Sequence, residues 1–418
     1  MGDINDPQDF AGGLKRQHRL LEQSDDVHDS DRPQIERWLR KKDGSVAIST
    51  LKTYLRRVRA ASERSDTPLV DMDEPDYHEL VFDLRHEHDL ADSTVQSYEN
   101  AVLLFLSDMT DADWTDDVDR TKVERSGPDV DNMLTPKDIQ ALTTTARHQR
   151  DVAFIEFLAD TGARLTMALS LRVRDVDLEE PPTYKPNGDA VGLKGAPITE
   201  YPLIDSAAAI RSYLRTAHPR PNEPDAALFH KIKPHSRGED GERWIDDGAV
   251  VANAARQQLS RIANRADIDK PVKPHAFRHA AITRMVREGY SRSQIEHRVH
   301  WTLDTNMWET YEHITSEEHN EDIFREAGIL DPDDGPDRIR KDCGNCQQPL
   351  APHHDWCPNC GQPAAPGASD QHTEAKDTVL EALVDETNPA TRRELRALLD
   401  ELDERPDTAR DVDHDDPS

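Results

Sequence analysis

Five short signatures stand in one order through the middle of the chain, and a fold that uses them together has little freedom. They are Thr161-Gly162-Ala163-Arg164, Gly192-Leu193-Lys194-Gly195, His275-Ala276-Phe277-Arg278-His279, His300-Trp301 and Tyr311. Each alone has a bland reading: an arginine after a helix end, a lysine on a hairpin, a packed tyrosine on an amphipathic helix. Together they supply two arginines, a lysine and a histidine, enough to surround and neutralise one phosphate. They also supply a tyrosine able to attack it. Segments from residue 161 to residue 311 must then converge on one point.

The local patterns say what carries these residues. Thr135 caps a helix with Pro136 at its first position. The next helix carries Val152, Ile155, Leu158 and Ala159 and stops at Thr161-Gly162, so Arg164 follows a helix end. Val173, Val176 and Leu178 suggest a short strand. Val191–Gly195 and Ile198–Leu203 read as a hairpin presenting Lys194, with Lys185 a nearby rival. Helices are expected at 206–217 and 247–265. Lys273-Pro274 opens another helix, on which His275 and Arg278 lie three apart and share a face. Its N-terminus adds donors and a favourable field for an anion, and Phe277, Ile282 and Met285 would pack beneath. It should end at Gly289, with Ser291 opening the next.

This set and order resembles the tyrosine recombinase (phage integrase) family. The resemblance implies a mainly α chain with a small antiparallel β-sheet. A helical core-binding domain would precede a mixed α/β catalytic domain. It also implies roles: Arg164 and Arg278 on the non-bridging phosphate oxygens, His275 assisting, Lys194 as general acid and Tyr311 as nucleophile. His300 or Trp301 would be a further donor; Trp301 fits the spacing of tryptophan-bearing versions, and His300 stands where the family has glycine. The family glutamate three residues after the first arginine is replaced by Met167. The implied partners are double-stranded DNA at a specific site, a homo-tetramer on two such sites, and an accessory DNA-bending protein. Neither ATP nor a catalytic metal is implied.

Domain limits follow from composition and periodicity. Residues 1–30 are polar and expected to be mobile. Residues 31–110 form a helical domain, with Ile35, Trp38 and Leu39 on one face, Leu51, Tyr54, Leu55 and Val58 on another, and Val95, Tyr98, Val102 and Phe105 on a third. Ser49 or Thr50, and Ser93 or Thr94, are the expected helix caps. Lys52, Arg56, Arg57 and Arg59 are either phosphate contacts or a solvated face. Residues 111–132 are Asp-rich and read as a linker, 133–330 as the catalytic domain, and 372–404 as an acidic amphipathic helical tail.

Four cysteines fall in two C-x-x-C knuckles, Cys343/Cys346 and Cys357/Cys360. Four thiolates at this spacing form a closed tetrahedral Zn²⁺ site with no open position for chemistry, so residues 340–365 read as a structural zinc ribbon. His353 and His354, between the knuckles, are expected to be exposed.

The net charge of −31, from 83 acidic and 52 basic residues, runs against DNA binding. The acid is spread through every segment, and arginine is preferred to lysine, a pattern that resembles haloarchaeal proteins. In molar salt the Debye length falls to about 3 Å, so close contacts rather than diffuse repulsion decide binding. No apolar run is long enough for a membrane span and no secretion signal is visible, so a cytoplasmic protein is expected. Two rival readings are a degenerate, DNA-binding recombinase domain and a type IB topoisomerase-like activity.

Overall fold

The computed structural model describes residues 2–123, 132–179, 181–233 and 246–302, with Thr305, Trp308 and scattered positions between 341 and 396. The chain divides into two compact units, Met1–Gly127 with Asp189–Lys194, and Pro128–Gly188 with Gly195–Ser418. Among the described residues no helix is long and apolar enough to cross a membrane.

The first unit is built from α1 (Phe10–Gln23), α2 (Asp31–Lys42), α3 (Ile48–Ser62), α4 (Glu74–His86) and α5 (Asp92–Met109). Trp38 is fully buried at its centre, edge-on to Phe105 at 5.4 Å and tilted against Tyr54. Its indole N–H donates to Asp108 Oδ2 at 2.8 Å. Burial works against ionisation of Asp108, but hydrogen bonds from Lys41, Lys42 and Trp38 prevail and hold its pKa down at about 2. A fully buried carboxylate, Asp31, accepts from Ser62 Oγ at 2.6 Å, Leu69 N at 2.9 Å and Val70 N at 3.0 Å, tying α2 to the end of α3.

Several expectations for this unit change. Residues 1–30 are not simply a mobile lead-in, because α1 packs on α3 and buries Leu21 completely. The expected linker at 111–132 is packed as far as Thr121, whose amide donates to the buried Glu99 carboxylate at 3.0 Å. Residues 124–131 lie outside the described residues. α3 and α5 begin earlier than their hydroxyl residues suggest, after Ala47 and Ala91 in extended conformation, with no side-chain cap. On α3, Lys52 lies over the Phe10 ring, Arg57 over Tyr98 and Arg59 against Glu63, leaving Arg56 as the exposed member of that basic set.

The second unit contains α6 (Pro136–Thr145), α7 (Gln149–Thr161), α8 (Leu165–Ser170), a three-stranded antiparallel sheet, α9 (Ala207–Thr216), α10 (Ala252–Arg265), α11 (Pro274–Arg287) and α12 (Arg292–Arg298). Thr135 and Asp138 make the capping box that starts α6. α7 is buried from Ala153 to Thr161 and forms the spine of the unit. Phe157 packs edge-on to Tyr184 at 5.1 Å, and Phe154 edge-on to Phe229 at 5.0 Å.

The sheet pairs β1 (Val176–Asp177) with β2 (Thr183–Tyr184), and β2 with β3 (Tyr201–Pro202), in the register Tyr184 opposite Tyr201. The hairpin's first arm is therefore β2, not the expected Val191–Gly195. Val191 and Ile198 are exposed and have no core face to bury, so the stretch between β2 and β3 is a loop.

Candidate active site

Gly162 starts the site. It caps α7 in the left-handed region (φ 60°), its N–H donating to Leu158 O at 3.0 Å. A Cβ there would lie 3.1 Å from Ala281 Cβ and 3.7 Å from Arg278 Cα, so glycine lets the end of α7 close on α11. Thr161 fixes the turn, its hydroxyl donating to Phe157 O at 2.6 Å and accepting from Ala163 N at 3.1 Å. Arg164 then stands at the N-cap of α8.

Arg278 is 2% exposed and fills the closed angle. Its Nη1 donates to Gly162 O and its Nη2 to Val299 O, both at 2.8 Å. The Trp301 ring lies against the guanidinium at 5.3 Å, and Trp301 is itself buried in a cluster with Ala281, Ile282, Met285, Ile295 and Val299. Arg164 is half-buried, and its Nη1 is shielded from solvent with no hydrogen-bond partner among the described residues. Burial pulls the Arg164 pKa below its ordinary value. A buried guanidinium N–H without an acceptor is costly, so Arg164 holds an unmet demand for a hydrogen-bond acceptor among the described residues.

His300 sits behind these groups, not on an open face. It is 2% exposed, its Nε2 is 2.5 Å from Tyr184 Oη, and its ring meets Tyr201 edge-on at 4.3 Å. Burial first, then the charges of Arg278 and Arg164, hold its pKa well below the usual value, so it is neutral. Its backbone is left-handed (φ 61°), a conformation glycine adopts without strain, which gives the glycine expected at this position a physical reason. His275 is exposed near the N-terminus of α11, with its ring 4.6 Å from that of His279. Burial, then His275 and Arg278, push the His279 pKa down to about 4.

One carboxylate locks the helices that carry these residues. Asp160, fully buried on α7, accepts at Oδ2 from Ile204, Asp205 and Ser206 N–H and from Ser206 Oγ, at 2.8 to 3.1 Å. Its Oδ1 receives Arg298 Nη2 of α12 at 2.7 Å. Arg284 of α11 bridges Asp160 O and Asp205 Oδ2. Burial alone would raise the Asp160 pKa; Arg298, Arg284 and the backbone donors bring it down to about 2. Asp160, Arg284 and Arg298 belong to no signature. The signal present in the sequence is an acid in the last turn of an apolar helix, two residues before the Gly162 stop.

Met167 is buried (1% exposed) on α8 and offers the arginines no charge. Lys194, exposed and left-handed (φ 55°), groups with the first unit rather than with these residues. Tyr311 lies outside the described residues, as do Cys346 and Cys360.

The remaining two cysteines, Cys343 and Cys357, one from each knuckle, are buried in one cluster with Leu350. β4 (Lys341–Asp342) and β5 (Pro349–Leu350) pair antiparallel beside the first knuckle. At the second, Cys357 N donates to Gln362 O and Gly361 N to Cys357 O, both at 2.8 Å, with Gly361 at φ 70°. A tight, glycine-turned loop carrying a buried thiol beside a second buried thiol fits a zinc knuckle pair. His354 is not exposed as expected: it packs against the buried Glu156 of α7, Nε2 to Oε1 3.5 Å. Burial lowers its pKa, but the Glu156 hydrogen bond and charge outweigh this and raise it above the usual value.

Residues 132–318 match the model of the phage integrase family. The chain is similar to tyrosine recombinase XerD of Corynebacterium glutamicum, 29% identical over 180 residues covering 43% of this chain and 52% of the relative. It is also similar to tyrosine recombinase XerC of Oceanobacillus iheyensis, 26% identical over 200 residues covering 48% and 57%. The chain thus spans about half the length of the curated relatives it matches. Among solved structures it is similar to a lambda integrase (75-356) dimer bound to a COC' core site, at 10% identity and TM-score 0.49, covering 68% of this chain and 95% of that one. A Tn1549 transposon integrase in complex with transposon right end DNA gives 16% identity and TM-score 0.49, covering 71% and 98%.

Proposed function

We propose that this chain is a site-specific tyrosine recombinase that cuts and rejoins DNA through a 3′-phosphotyrosyl bond. The observation that carries the reading is the buried Nη1 of Arg164, without a hydrogen-bond partner among the described residues, at the turn that Arg278 closes. The two guanidiniums hold the non-bridging oxygens and stabilise the charge of the pentacoordinate transition state. Trp301 backs Arg278, and His300 acts from behind as packing. Tyr311 attacks phosphorus and gives its proton to His275. The P–O5′ bond breaks, and Lys194 protonates the departing oxygen. The phosphotyrosyl bond conserves the energy of the one broken, so attack by another strand's 5′-hydroxyl completes exchange without ATP or a catalytic metal.

The same reading gives the chain double-stranded DNA at a specific site as substrate, a homo-tetramer on two sites as working form, and a DNA-bending protein as accessory. The first unit clamps the duplex as a core-binding domain. A structural Zn²⁺ held by Cys343, Cys346, Cys357 and Cys360 stabilises the C-terminal ribbon. The pervasive acidity suits a salt-rich, haloarchaeal type of cytoplasm, in which short-range contacts to phosphate survive screening. The acidic tail at 372–404 makes protein contacts.

The test does not require the target sequence in advance. The protein is expressed in a high-salt host, cells are denatured rapidly, and protein-linked DNA is recovered and its ends sequenced, wild type beside Tyr311→Phe. Adducts at a discrete sequence that vanish in the variant support the proposal. The buried Met167, where an acid would brace Arg164, favours a second reading: a DNA-binding protein that no longer cleaves. It predicts an enriched site in native pull-down and no adduct in either protein.

A further inference from the structure

Lys194 sits on a loop whose regular pairing has already ended, since β2 and β3 pair only at Thr183–Tyr184 and Tyr201–Pro202. Three of the four residues Gly192–Gly195 are left-handed, at φ 88°, 55° and 74° for Gly192, Lys194 and Gly195. Such a loop needs an outside hold to keep a side chain in one place.

That hold comes from the start of the chain. Asp189–Lys194 forms one compact unit with the N-terminal residues. Val191 N donates to Asn5 O at 2.8 Å. The Phe10 ring lies flush on Gly192, where a Cβ would come within 2.6 Å of Phe10 Cε2. The ring is fixed in turn: Lys52 Nζ of α3 stands 4.7 Å from its centroid, and the Lys52 stem crosses Gly13, whose Cβ would meet Cδ at 2.7 Å. The turn before Phe10 is pinned as well, because Asp6 accepts from both Phe10 N and Ala11 N at 2.9 Å. Leu193 is buried, while Lys194 next to it is exposed. The loop is thus gripped by its backbone and its neighbours, and the ammonium group is left to act.

We propose that the N-terminal segment, through Asn5 and Phe10, is a positioning element for Lys194. It fixes the Gly192–Gly195 loop in advance, so that the proton reaches the departing O5′ without a search at the moment the P–O5′ bond breaks. The inference rests on the assignment of Lys194 as general acid. It also gives Gly192 a second role, as the residue whose missing side chain admits Phe10.

Two measurements test it. Hydrogen exchange on the full chain without DNA reads the loop directly. Phe10→Ala should speed exchange of the Val191 amide about tenfold or more, and Phe10→Tyr should leave it unchanged; equal exchange in wild type and Phe10→Ala overturns the proposal. Cleavage is then followed on a duplex carrying the site mapped by adduct sequencing, with oxygen or sulfur at the scissile 5′ position. A thiolate leaves without a proton from an acid. Lys194→Ala and Phe10→Ala should both slow cleavage of the oxygen duplex and recover on the sulfur duplex, Phe10→Ala losing about tenfold on oxygen. If Lys194→Ala does not recover on sulfur, the general-acid assignment fails. If Lys194→Ala recovers and Phe10→Ala either cleaves normally or is equally slow on both duplexes, the positioning role fails.

Discussion

Asp160→Ala should loosen the whole candidate site without touching any residue in it. Asp160 is fully buried and Arg298 is 5% exposed, so truncation leaves an uncompensated guanidinium in the interior. Breaking a buried pair by removing one partner costs roughly 3–5 kcal/mol. Acid titration should cost less. The Asp160 carboxyl sits at about 2, below its ordinary 3.8, and a depression of this size corresponds to roughly 2–3 kcal/mol. That stability is fully present above about pH 4 and is lost as pH falls through about 2. A protonated acid still fills its space and keeps part of its hydrogen bonding, whereas alanine leaves Ile204, Asp205 and Ser206 N–H without their acceptor. Asp160→Asn should fall between wild type and alanine. Segment-resolved hydrogen exchange under increasing denaturant is the assay, because it separates the two compact units. Peptides covering α7, α11 and α12 should lose protection together in Asp160→Ala, while α2 to α5 stay as they were. A loss under about 1 kcal/mol, or one confined to α7, would refute the claim that this carboxylate ties the three helices together.

Arg278→Lys should reduce adduct formation by roughly a hundredfold or more, measured by quantifying protein-linked DNA, because a single ammonium cannot bridge Gly162 O and Val299 O as the guanidinium fork does. The His279 pKa is lowered to about 4, so its contribution to stability is present above about pH 6.5 and is lost as pH falls toward 4; a pH–stability profile of His279→Gln should be flatter than wild type across that window. Gly248→Ala should destabilise the second unit by about 1–3 kcal/mol in denaturant titration, since the new Cβ would lie 2.0 Å from His230 Nε2 at a φ of 78°. Native mass spectrometry should find one Zn²⁺ per chain, lost in Cys343→Ser and on chelation, with the fold of α2 to α5 unchanged.

The parts of the molecule legible in sequence are those fixed by local chemistry. Thr135-Pro136 with Asp138, Gly162 at the end of α7, and Pro274 opening a helix with Phe277, Ile282 and Met285 beneath are written in neighbouring residues. The electrostatic lock is not legible, because Asp160, Arg284 and Arg298 acquire meaning only when three helices meet. His300 can be noticed as standing in a glycine position, but its burial against Tyr184 and Tyr201 depends on the sheet register. The hairpin is misplaced in sequence because Val191 and Ile198 look like strand residues, yet neither has a core to face. α1 escapes notice because its polar sequence buries only one narrow stripe against α3.

The central claim is that Tyr311 becomes covalently joined to DNA, and peptide mapping of the recovered adduct tests it most directly. After nuclease and trypsin digestion, the peptide following Arg298 and ending at Arg325 contains one tyrosine, Tyr311. Residual nucleotide phosphate is expected on that tyrosine, and none in Tyr311→Phe. Nucleotide on any other residue, or an adduct that persists in Tyr311→Phe, would contradict it.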